Sequence, residues 1–426
     1  MNNWYLHDGV VYRGRRLRRE DLLVINGTVA AFGHEAKAGF EAMKNADPAS
    51  VTAYNASGCV ISHGFLDLHV HLREPGFESK ETIATGTKAA AAGGFTTVCA
   101  MPNTNPSLDS LDQLWDLKKR IQKEAQVKTI PIAAVTKNRA GQVLTDFAAF
   151  VEHGVVLFSD DGDPVPDPLL REAMTELAAL GGLLVNHLEE KSLVKPGFFA
   201  EAIPPQSEYL MLERDLAVVA ETGCRYHAAH LSCAESVALI AEARNNRLPV
   251  TAEVTPHHLT LTMDDICEPQ GHFQMKPPLR TDADRRALIE GLRLGVIDAV
   301  ATDHAPHGRE KEHGMGSDSP FGVTGLETAF PVLFSELVLP GLLPLERLLD
   351  ALTANPGRVI GQNHDLTVGQ AADLVVLDLD RERVVCREQF FSKGTNSPYI
   401  GRKLKGWPVL TLVDGEERYN ANHAKS

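Results

Sequence analysis

Phe65-Leu66-Asp67-Leu68-His69-Val70-His71 is a short apolar run that ends on two histidines spaced two apart. Side chains alternate faces along a β-strand, so His69 and His71 leave the same face at its C-terminal end and form a bidentate imidazole pair. A lone histidine is more often packed or at the surface. Two on one strand face suit a divalent ion. Seven further runs of the same kind follow, at 95–101 (FTTVCAM), 129–135 (TIPIAAV), 155–159 (VVLFS), 183–187 (LLVNH), 226–231 (YHAAHL), 250–254 (VTAEV) and 299–303 (AVATD). Helical candidates lie between them, among them 80–92, 108–125, 168–180, 210–221 and 233–245. Alternation of this kind is the pattern of parallel strands joined by crossover helices, and eight strands predict an α/β fold of the (β/α)8 TIM-barrel type. Reactive groups are then expected just past the strand C-termini.

The two ends of the chain read differently. Residues 1–55 carry short strands and turns (GVVYRG, DLLVINGTVAAFG), and 367–417 resumes that style (LTVGQAADLVVLDLD, WPVLTLVDGE). The expected organisation is a small β-sandwich built from both termini, with 1–57 as its first part, 58–364 as the barrel and 365–426 as its second part. The length of 426 residues accommodates this, and 43% hydrophobic with 23% charged residues is the composition of a globular chain. A formal net charge of −14 argues against a general binder of nucleic acid or anionic membranes. Six scattered cysteines without a Cys-x-x-Cys pair suit structural thiols in a reducing compartment. The start Met1-Asn2-Asn3-Trp4 lacks the basic and apolar pattern of a signal peptide, and no apolar run approaches the roughly 20 residues that span a bilayer. A cytoplasmic location is expected.

Other predicted strands also end on groups that bind metals: Asp160 and Asp161 in FSDDG, His187, His230 and Asp303. Imidazole nitrogens with carboxylate oxygens suit zinc or a similar divalent ion, and one carboxylate can bridge two ions. Either aspartate of FSDDG taken alone could equally cap a helix; one is expected as ligand and the other to order the turn. Arg73 lies two residues past His71, shares its face and could grip a carboxylate as a fork. His257 and His258, after Pro256, are expected in supporting or packing roles.

In order along the chain, DLHVHLREPG, KETIATGTKAAAAGGFTTVCAMPNTNP, FSDDG, NHLEE, HLS, EVTPHH, PPLR, ATDHAPH and PFGVTGLET resemble the type I dihydroorotases of the amidohydrolase superfamily, from about residue 58 to 358. GQAADLVVLD and SPYIGRKLKGWPV resemble that family's sandwich. The resemblance implies reversible cyclisation of N-carbamoyl-L-aspartate to L-dihydroorotate in pyrimidine synthesis. It implies one or two divalent ions, expected to be Zn2+. His69 and His71 with Asp303 would hold one, His187 and His230 the other, and Asp161 would join them. A metal-bound hydroxide would be the nucleophile and Asp303 the general acid/base. Hydantoinases and allantoinases use a carboxylated lysine as the bridge; no lysine lies near FSDDG, the closest upstream being Lys137, so the aspartate version fits better.

On the substrate side the resemblance assigns the carboxylate to Arg73, Asn103 and His307, and backbone groups around Phe321 and Gly322, within SDSPFGVTG (317–325), could bond the ring amide. Lys276 stands where the family usually has asparagine, and could reach a ring carbonyl as a donor. His63 and Ala100 are smaller departures. Two other readings compete: an allantoinase or hydantoinase-type amidohydrolase, and a non-catalytic scaffold partner of aspartate transcarbamoylase. The second is disfavoured by the full ligand set. A homo-oligomer and association with that transcarbamoylase are compatible with the sequence.

Overall fold

The computed structural model describes residues 3–267, 270–308 and 320–423. Part of the stretch 317–325, at 317–319, lies outside the described residues. Strands Phe65–Val70, Phe95–Ala100 and Lys128–Pro131 pair in parallel, and so do Leu157–Phe158, Leu183–Asn186, Arg225–Ala228, Val250–Val254 and Ala299–Val300. The two groups join through parallel bridges Ala133 to Phe158 and Val70 to His304, which closes the ring. Asp67 reinforces the closure, accepting from the Thr302 amide at 3.1 Å and the Thr302 hydroxyl at 2.6 Å.

Phe65–Val70 and Phe95–Ala100 are buried along their whole length, the expected consequence of covering a parallel sheet with helices. Local signals set the helix limits. Thr82 opens Ile83–Ala92 with a capping box to Thr85, and Thr281 opens Asp282–Leu294 in the same way with Asp284. Gly295 stops the second of these in a left-handed conformation. Leu66, Leu68, Cys99, Ile132, Leu183, Val185 and Ala299 form one buried cluster across the strands.

Both chain ends build one sandwich. Thr28–Phe32, Leu22–Ile25, Trp4–His7 and Thr52–Asn55 form one sheet in that order; Glu416–Asn420, Lys403–Val413, Leu374–Val384, Cys59–His63, Val10–Arg13 and Arg16–Arg19 form the other. Trp4, Leu6 and Val24 of the first sheet pack with Ile61, Leu374, Val376 and Leu412 of the second. Cys59–His63 lies past the expected division at 57/58, yet it pairs with Leu374–Val384 and Val10–Arg13 in the sandwich. The stretch read as strands and turns alone also contains a helix, Gly33–Ala46. Its Ala36 and Phe40, one turn apart, cover Tyr5 and Leu23 on the outer face of the four-stranded sheet. No helix among the described residues is long and apolar enough to cross a membrane.

Candidate functional site

At the barrel mouth the chain turns sharply after several strands and delivers side chains to one point. Arg73, His230 and Asp303 take positive φ angles of 62°, 32° and 46°. Non-glycine residues rarely hold this conformation unless their surroundings impose it. His69, His71, Asp161, His187, His230 and Asp303 are all at most 7% exposed. His69 Nε2 lies 3.4 Å and His71 Nε2 3.5 Å from Asp161 Oδ2. His187 Nδ1 lies 3.5 Å and His230 Nε2 3.4 Å from Asp161 Oδ1. Two three-residue groups thus share Asp161: His69 with His71, and His187 with His230. Asp303 Oδ1 approaches His71 Nε2 to 2.9 Å. Asp160 turns the other way, accepting from the Val135 and Thr136 amides at 2.9 and 3.1 Å, and so orders the turn.

The outer hydrogen bonds fix which nitrogen faces inward. His69 Nδ1 donates to Glu253 Oε1 at 2.8 Å, which leaves the buried Nε2 without a hydrogen-bond partner. His71 Nδ1 donates to Asn103 Oδ1 at 2.8 Å, and its Nε2 faces the Asp303 carboxylate. His187 Nδ1 and His230 Nε2 stand 3.1 Å apart. Imidazole nitrogens and carboxylates gathered in one buried space suit a cation between them, and imidazole with carboxylate is the donor set of zinc and similar ions. Burial alone would raise the Asp161 carboxyl, but the His69 charge and bonds from His187 and His230 carry it well below the usual carboxylate range. Asp303 is likewise lowered, against its burial, by its bond to His71 and the charge of His69. Glu253, opposed by burial in the same way, falls to about 2 through bonds to His227 and His69.

Beside this cluster, Arg73 Nε donates to Pro306 O at 3.3 Å, and its Nη2 lies 3.2 Å from His307 Nε2. Burial pushes the Arg73 guanidinium down to about 10. His307 Nε2 donates to Phe321 O at 2.7 Å, and Lys80 Nζ stands 3.3 Å from Nδ1. Asn103 is placed here too, its carbonyl oxygen engaged with His71. Lys276 forms an ion pair with Glu189 at 3.0 Å and sits over the Phe321 ring at 4.9 Å, so the charge it brings is balanced within the protein. The Gly322 amide donates to Gln274 O at 2.9 Å, and Gly322 O and Phe321 O accept from Asn396 and His307. The backbone groups expected to meet the ring amide are therefore bonded within the chain. Gly322, at φ 127°, is pressed against residue 305: an added Cβ would lie 2.5 Å from Ala305 Cβ.

Sequence reasoning missed Glu253 and Glu189. A single acid inside the apolar run VTAEV was a signal, because buried acids need a partner. Glu189 was visible only as part of NHLEE. His257 and His258 are buried, and His258 bonds Thr255 Oγ1 and Pro277 O.

The family described as dihydro-orotase-like matches residues 58–236. The dihydroorotase of Geobacillus sp. (strain WCH70) is 45% identical over 422 residues, covering 96% of this chain and 95% of that relative. The chain belongs to the dihydroorotase family. The dihydroorotase of Bacillus cytotoxicus is 43% identical over 415 residues, with 95% and 96% covered. Among solved structures, the L-hydantoinase (dihydropyrimidinase) from Arthrobacter aurescens superposes with a TM-score of 0.88 at 28% identity, covering 100% of this chain and 98% of that one. Dihydropyrimidinase from Brevibacillus agri shares the fold, with a TM-score of 0.86 at 22% identity and 98% and 95% covered. In this member of the dihydroorotase family, Lys137 Nζ donates to Asp109 O at 2.6 Å, and among the described residues Asp161 is shared by the two histidine pairs.

Proposed function

We propose that the protein is a dihydroorotase, a metal-dependent cyclic amide hydrolase that interconverts N-carbamoyl-L-aspartate and L-dihydroorotate in pyrimidine biosynthesis. The observation that carries this reading is the convergence of four buried histidines on Asp161 beside an arginine-lined edge. The kinship to dihydroorotases over nearly the full chain supports the substrate. His69, His71 and Asp303 would hold one divalent ion, and His187 and His230 a second, with Asp161 between. The donor set favours zinc. Such an ion supplies Lewis acidity, lowering the pKa of water and polarising a carbonyl.

The chain's own groups do the rest. Asp303, kept ionised, takes the proton of the attacking water and passes it to the amide nitrogen that leaves the ring; cyclisation runs the same transfers in reverse. Glu253 and Asn103 hold the two strand histidines in one tautomer. Arg73, with Asn103 and His307, binds the substrate carboxylate, and Lys276 with Phe321 and Gly322 lines the ring side. We place the enzyme in the cytoplasm, as a homo-oligomer able to associate with aspartate transcarbamoylase; the absence of a membrane-spanning helix among the described residues is compatible with this.

One assay tests the substrate. Purified protein is expected to turn over L-dihydroorotate in preference to hydantoin, and Arg73→Ala to raise the KM for dihydroorotate by about 30-fold or more, the scale of a charged fork to a carboxylate. Turnover of hydantoin without dihydroorotate would replace this reading with a hydantoinase. An unchanged KM in the variant would remove Arg73 from carboxylate binding.

A further inference from the structure

The barrel mouth receives a segment from far along the chain that the chemistry above does not use. Residues 392–396 run against the turn that carries His307. Ser392 Oγ donates to Glu81, and the Lys393 amide donates to Glu81 Oε1 at 3.3 Å. Gly394 passes so close that an added Cβ would sit 2.6 Å from Pro306 Cβ. Asn396 follows, 2% exposed, and its side chain is fully engaged. Oδ1 accepts from the His307 amide at 3.0 Å. Nδ2 donates to Ala305 O at 3.3 Å and to Gly322 O at 2.9 Å. Its backbone carbonyl accepts from the Thr324 amide at 3.1 Å.

We propose that Asn396 is a positioning residue that sets the carboxylate-binding edge of the substrate pocket. One amide ties together two stretches of chain, 305–307 and 322–324, beside the bond that the Ala305 amide donates to Val323 O at 2.8 Å. Fixing 305–307 fixes Pro306 O, which accepts from Arg73 Nε, and the His307 ring, which contacts Arg73 Nη2. Fixing 322–324 fixes the neighbouring Phe321 carbonyl, which accepts from His307 Nε2. The guanidinium and imidazole thus inherit their place from an asparagine that is not in contact with either side chain's charged end. A carboxamide presents two donor hydrogens and an acceptor together, the set used at this spot. The metal-ligating cluster is held by other bonds, chiefly Glu253 and Asn103, so the effect of Asn396 is confined to substrate recognition.

This inference rests on the dihydroorotase reading, and the test separates the two. Steady-state kinetics on L-dihydroorotate and metal analysis are compared for the parent, Asn396→Ala and the isosteric Asn396→Asp, which keeps the acceptor and loses the donated bonds. Both variants are expected to raise KM about tenfold, the scale of lost hydrogen bonds, with kcat within about threefold and metal content unchanged. The aspartate variant carries the test if the alanine variant does not fold. Unchanged KM in a folded variant, or metal content and kcat falling at constant KM, would overturn the proposal while leaving the function standing. A parent inactive on dihydroorotate would overturn both.

Discussion

Asp303→Asn is expected to lower kcat by about 10²–10⁴-fold while the protein stays folded, the range that a positioned proton-transfer group contributes. The side chain is 7% exposed and its Oδ1 lies 2.9 Å from His71 Nε2. Histidine neighbours hold it below the ordinary carboxylate range, so it is ionised at neutral pH. Asparagine fills the same volume and can still point an oxygen at the site, but it cannot carry the proton between water and the ring nitrogen. The loss therefore belongs to kcat. Initial rates at saturating L-dihydroorotate measure it directly, and near-parental kcat would mean that another group moves the proton.

The second large effect separates two adjacent acids. Asp161→Ala is expected to weaken metal retention by at least about a hundredfold, because removal of an outer partner alone costs 10–100-fold and Asp161 faces all four histidines. Asp160→Ala is expected to keep its metal and to lose about 2–3 kcal/mol of stability instead, since it leaves the Val135 and Thr136 amides without their acceptor. Metal content by mass spectrometry and thermal unfolding read the two outcomes side by side. Equal metal loss in both variants would contradict the assignment.

The contrast between these neighbours shows what sequence could and could not resolve. FSDDG announces a ligand at the end of a strand but not which acid faces inward, because that depends on the twist of a two-residue strand, Leu157–Phe158, against its neighbours. The barrel was legible because its strands recur as short runs between helices and several end on a chemically distinctive residue, as in FLDLHVH and LLVNH. Cys59–His63 reads as the same kind of run, and only its partners at Leu374–Val384 place it in the sandwich. Helix Gly33–Ala46 was hidden behind the turn residues that precede it, although Ala36 and Phe40 already show a helical interval. Asn396 and the Gly322 bonds depend on contacts across tens of positions, which no local pattern carries.

Diffraction from crystals of zinc-loaded protein, collected on both sides of the zinc absorption edge, locates any bound ion without reference to activity. Anomalous density beside Asp161, within coordination distance of the His69 and His71 pair or the His187 and His230 pair, is the expected result. A loaded crystal without density there, or with these side chains turned apart and the ion held elsewhere, would contradict a metal centre at the mouth of this barrel.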